Sequence, residues 1–144
     1  MKPLRALLYA MCLLALCSCS THKNTGLTRS VQAFKARYNT YFNGHQAYLE
    51  GYGQQRDGNK DNYTETLPYL MIGNKATLKL GSSQFDRAIE KSQKTIKLHS
   101  ITVKPEVSAA KRRTAKGKAW LAQKEYNPFL PKAWMLMGQA QMQK

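Results

Sequence analysis

Residues 82–100 read SSQFDRAIEKSQKTIKLHS, and this stretch decides the fold class. Phe85, Ala88, Ile89, Ser92 and Ile96 recur at three- and four-residue intervals, the spacing of one helical face. Arg87, Glu90, Lys91, Lys94 and Lys97 fall largely on the opposite side, so the segment reads as an amphipathic surface helix over Ser83–Leu98. Ser82-Ser83 offers an N-cap, with Asp86 three residues after Ser83 as in a weak capping box. Lys97 complements the helix dipole in the last turn.

The same periodicity extends outward in both directions. Upstream, Val31, Phe34, Tyr38 and Tyr41 define a helix over Val31–Phe42, and His45, Tyr48, Leu49 and Tyr52 define another over His45–Gln55. Asn43-Gly44 stands between them and is expected to turn the chain into an antiparallel helical hairpin. The tyrosines read as packing residues with hydroxyls at the edge, or alternatively as a stacking platform for sugars or bases. Leu67 to Ile72 is a brief apolar patch that fits either a short helix or extended chain.

Downstream, Asn127-Pro128 marks a turn and Pro131 suits the first position of a helix over Pro131–Gln143, because its missing N–H has no partner there anyway. Trp134, Met137 and Gly138 stand at the W-x-x-L-G spacing that opens a tetratricopeptide repeat. In such a repeat the large residue packs between helices and the glycine admits its neighbour. The stripe Trp134, Met137 and Ala140 then awaits a second helix beyond Lys144, and the chain is expected to be the front of a longer array. Between the helical regions, 104–119 (KPEVSAAKRRTAKGKA) is basic and poor in apolar residues, either a solvated loop or a docking site for anionic groups. Its Gly-Lys pair lacks the spacing of a phosphate-binding loop.

The N-terminus sets the compartment. Lys2 and Arg5 precede an uncharged, mostly apolar run from Ala6 to Leu16, too short to span a bilayer but suited to a secretory signal. Cys19 follows small Ser18, with Leu16 at the third position upstream, and is the expected lipidation site. Cleavage there removes Cys12 and Cys17 and leaves no partner for a disulfide in the mature chain. The lack of acidic residues after Cys19 favours the periplasmic face of the outer membrane.

The expected organisation is therefore a signal peptide over 1–18, a tether over 19–28, an N-terminal helical domain over 29–103, a basic loop or linker over 104–126, and the first helix of a repeat over 127–144, all-α throughout. With 23 basic against 8 acidic residues the chain carries a net charge of +15, a surface that seeks anionic partners. Export makes nucleic acid an unexpected one. No catalytic residue, metal site or cofactor is expected: His22, His45 and His99 lack metal-ligand spacing and read as surface or capping residues, and the carboxylates show no pairing.

Three segments carry a family resemblance: YNTYFNGHQAYLEG (Tyr38 to Gly51), DNYTETLP (Asp61 to Pro68) and DRAIEKSQKTIKLHSITVKP (Asp86 to Pro105). With the lipobox before them and the repeat-like start after them, the chain resembles the PorW/SprE lipoproteins, tetratricopeptide-repeat proteins of type IX secretion and gliding motility in Bacteroidota. The resemblance implies a non-enzymatic periplasmic scaffold, anchored in the outer membrane and bridging other protein subunits of the secretion machine. The alternative left by the residues themselves is a small lipid-anchored module that binds an anionic glycan or envelope polymer through a basic, tyrosine-rich face.

The lipid reading predicts that Cys19→Ala abolishes incorporation of a fatty-acid probe and releases the protein from the membrane. Label that persists in the variant would contradict it.

Overall fold

The computed structural model describes residues 21–67 and 77–144, and every regular element among them is a helix. These are α1 (Gly26–Ala36), a π-helical turn (Arg37–Tyr41), α2 (Phe42–Gly58), α3 (Ser82–His99), α4 (Ala109–Arg113), α5 (Ala115–Leu121) and α6 (Leu130–Met142). Cys19, the signal segment and most of the Leu67–Ile72 patch lie outside the described residues. The described residues form two units: 21–34 with 99–128, and 35–98 with 129–144.

In the second unit α2, α3 and α6 supply the core. Phe85 and Ala88 of α3, Ala47 of α2 and Ala140 of α6 form the buried cluster, with Tyr48 and Ile89 packed on it. The α3 stripe matches the sequence pattern: Phe85, its largest apolar residue, is fully buried together with Ala88 and Ser92. The helix begins a residue earlier than expected, after Gly81, and the Gly81 carbonyl accepts from the Phe85 amide at 3.0 Å. Asp86 binds the Lys144 ammonium at 2.6 Å rather than serving the capping box.

The hairpin expected at Asn43-Gly44 does not form. α1, the π turn and α2 follow one another without a break, and the Asn43 side chain donates to the Asn39 carbonyl within the helix at 3.1 Å. Tertiary packing outweighs the local turn preference here. Gly44 is buried, and a Cβ added to it would lie 3.0 Å from Lys91 Cβ and 3.6 Å from Leu136 Cδ2. Gly51, one heptad on, meets the Phe85 ring in the same way. The buried face of α2 is therefore Gly44, Ala47, Gly51 and Gln55; of the expected His45, Tyr48, Leu49 and Tyr52, Tyr48 packs at its edge and Leu49 is exposed.

The π turn absorbs an extra residue and buries Thr40. The Thr95 hydroxyl lies 2.7 Å from that of Thr40 and 2.8 Å from the Lys91 carbonyl. Having one proton, the Thr95 hydroxyl donates to only one of these two acceptors at a time.

α6 starts as expected with Pro131 in its first turn, but its inward face is Leu130, Ala133, Leu136 and Ala140. Of the expected stripe only Ala140 is buried, while Trp134 is half-exposed and Gly138 meets no neighbour within 4 Å. The buried Gln55 side chain donates to the Gln143 carbonyl at 3.0 Å and ties off the end of α6.

In the first unit α1 begins at Gly26, inside the stretch expected as tether. Thr25 caps it, accepting from the Thr28 amide at 3.2 Å, and Thr28 is buried. The basic stretch expected as a loop holds two short helices, α4 and α5. His99 is no surface residue either: it is buried with Nδ1 2.8 Å from Gln32 Oε1.

Gly81 has φ of +72°, and a Cβ there would approach the Gly51 carbonyl oxygen to 2.5 Å. Gly81→Ala is expected to cost at least roughly 1–2 kcal/mol from backbone conformation alone, with the collision in addition. Gly138→Ala, in an open helix interior, is expected to gain roughly 0.5–1 kcal/mol. Urea midpoints at unchanged slope measure both, and the reverse order would refute this packing.

Candidate functional site

Among the described residues of the first unit Ile101 is the one large apolar side chain that is fully buried, and the unit's segments are joined by polar bonds. Glu125 sits at their centre: one carboxylate oxygen accepts from the Ile101 amide at 2.9 Å and the Asn127 amide at 2.7 Å, and the other accepts from the Ser100 hydroxyl. The Asn127 side chain donates to the His99 carbonyl at 2.8 Å, and the Tyr126 amide to the Ile101 carbonyl at 3.0 Å. This ties the segment after α3 to the segment before α6. Tyr126 packs in turn on Trp120 of α5, with ring centres 5.5 Å apart.

On this frame lies a groove of about 1050 Å³. Its walls come from residues 22–29, from 103–107, and from α4 and α5, so the segment expected as tether and the stretch expected as basic loop meet in one place. Lys23, Arg29, Lys104, Lys111 and Lys116 line it, with Glu106 as its single carboxylate. Among the described residues, no carboxylate forms an ion pair with any of these five cations. Five cations against one carboxylate leave the lining net positive, which suits an anion.

Arg29 is held in place. Its guanidinium lies 5.0 Å over the Trp120 ring and donates to Asn24 Oδ1 at 2.6 Å, while the Asn24 amide donates to the Val103 carbonyl at 2.6 Å. A stacked, hydrogen-bonded guanidinium keeps its remaining N–H groups in a fixed planar fork suited to carboxylate or phosphate. The α4–α5 corner sets two of the lysines. Thr114 caps α5 by accepting from the Gly117 amide at 3.0 Å, and a Cβ on Gly117 would fall 1.9 Å from the Lys111 carbonyl oxygen. Only glycine lets this corner close and bring Lys111 and Lys116 to one wall.

Comparison of the chain with family models, curated proteins and solved structures finds no match. The site therefore rests on its own geometry.

Among the described residues no tyrosine lines the groove. In the second unit Tyr48 packs on Phe85 with ring centres 5.9 Å apart and has Tyr52 beside it. Burial first, and then Tyr52, push the Tyr48 phenol above its ordinary value of 10.0, as expected of a packing group. Tyr41 stacks on His45 and meets Phe129 edge-on. No group of three or more His, Cys, Asp or Glu among the described residues could hold a metal ion. No helix among them is long and apolar enough to cross a membrane.

A second candidate surface lies in the second unit. Gln93, Ile96, Lys97, Trp134 and Met137 surround a hollow of about 280 Å³ between α3 and α6. Trp134 is 53% exposed and Met135 68%. The sequence marked Trp134 through the repeat-like spacing, but nothing in the local pattern showed that Ile96 would stand beside it.

Proposed function

We propose that this chain is a non-enzymatic lipoprotein of the outer membrane, anchored through Cys19 on the periplasmic face, and that it serves as a scaffold or assembly factor of a type IX secretion and gliding machine. The observation that carries this reading is the hollow at Trp134. Trp134 stands half-exposed beside the partly buried Met137 on a concave apolar surface, and an exposed tryptophan is the kind of anchor that dominates protein–protein interfaces. The face fits a helix of a partner subunit, or the next helix of a tetratricopeptide array of the kind the family resemblance implies. The exposed Tyr38, Phe42 and Leu49 of the second unit offer further apolar contact.

A second reading has its own support. The basic groove of the first unit favours a lipid-anchored module that binds an anionic glycan or envelope polymer. In that case Trp120, rather than the tyrosines, supplies the aromatic surface beside the cations.

The two readings separate on one experiment. Trp134→Glu changes an exposed side chain, so the protein keeps its helical circular dichroism and its membrane attachment. On the scaffold reading it no longer co-purifies with the envelope secretion complex, and secretion falls at least tenfold. Unchanged co-purification in the Trp134→Glu strain would refute that reading.

A further inference from the structure

We propose that the groove of the first unit binds the phosphate-bearing headgroups of anionic lipids in the membrane that holds the protein, and so docks this unit on the bilayer surface. The proposal rests on the reading of Cys19 as the lipid anchor. Three residues separate Cys19 from Lys23, the first cation of the groove. A fully extended chain advances at most roughly 3.3–3.6 Å per residue, so the Lys23 backbone lies within about 14 Å of the acylated residue. That distance is comparable with the roughly 8 Å over which salt screens a charged surface at physiological ionic strength. A partner that must diffuse in competes with headgroups that are already there.

The chemistry of the groove matches a phosphodiester. Arg29 offers a planar donor fork held by Trp120 and Asn24, and Lys23, Lys104, Lys111 and Lys116 add ammonium groups around it. Trp120 lines the groove beneath the Arg29 guanidinium. A carboxylate polymer would satisfy the charge as well, but the anchor does not bring one to the groove. Membrane phosphate is therefore the occupant that both observations support.

Trp120 reports on its own groove once the other tryptophan is removed by Trp134→Phe. The full protein, purified from a bacterial envelope in neutral detergent micelles, is titrated with phosphatidylglycerol and, separately, with phosphatidylcholine. The expected result is a saturating change in Trp120 emission, with a midpoint at least tenfold lower in mole fraction for phosphatidylglycerol. Arg29→Lys keeps the charge but loses the fork and is expected to raise that midpoint several-fold. Lys111→Glu with Lys116→Glu, both at exposed positions, is expected to abolish the response with the helical signal intact.

No response of the acylated, folded protein to phosphatidylglycerol overturns the proposal. An equal response to polyglutamate assigns the groove to acidic polymers, and an equal response to inorganic phosphate at the same phosphate concentration assigns it to the free anion. Either overturns the headgroup assignment. The mass of the same preparation reports acylation of Cys19 independently: an unacylated Cys19 defeats the proposal through its anchor, whereas acylated protein with a silent groove defeats it through the site.

Discussion

A shortage of large buried apolar groups governs this molecule. Among the described residues the large, fully buried apolar side chains are Phe85, Ile101, Leu130 and Leu136, and the next in size are polar: Gln55, Asn127 and Thr77. Each large apolar residue contributes roughly 1.5–3 kcal/mol on burial, against a conformational entropy cost spread over the whole chain. The two units meet this constraint differently. The second brings helix backbones close through Gly44, Ala47 and Gly51, so that many weak contacts form at short range. The first relies on Glu125 and the buried amides and carbonyls around it. Hydrogen bonds to a charged group contribute roughly 1.5–3 kcal/mol each, and donors left unpaired by its loss would carry their own penalty.

That economy shapes what remains on the surface. Because small residues fill the helix contacts, Phe42, Leu49 and Trp134 are left outside, where they are available to partners. Because Glu125 is spent on the backbone, Glu106 alone faces the five cations of the groove. The scaffold reading draws on the first consequence and the headgroup reading on the second. They are compatible, since each uses a different unit and neither requires chemistry.

The sequence made the helical class legible, and α3 almost entirely, because Phe85, its bulkiest apolar residue, is buried on the same face as Ala88 and Ser92. It misled wherever small residues pack. In α2 the eye follows Tyr48, Leu49 and Tyr52, yet Gly44, Ala47 and Gly51 carry the contact, a pattern visible only if small residues at i, i+3 and i+7 are read as a face. Asn43-Gly44 looked like a turn because turn preference is local and the Lys91 and Leu136 contacts are not. The groove was half legible: residues 104–119 announced its basic wall by charge. Their junction with residues 22–29 depends on the Asn24–Val103 bond, which spans 79 positions and leaves no periodic trace.

If polar bonding at Glu125 replaces an apolar core in the first unit, the unit should fail as a whole when that carboxylate is removed. Residue-resolved hydrogen exchange on the full chain, comparing the native protein with Glu125→Ala, tests this directly. The predicted result is joint loss of protection at Ile101, Tyr126 and the amides of α5, from Lys118 to Leu121, by at least tenfold. Loss confined to the two amides that Glu125 itself binds, Ile101 and Asn127, with α5 unchanged, would contradict the account.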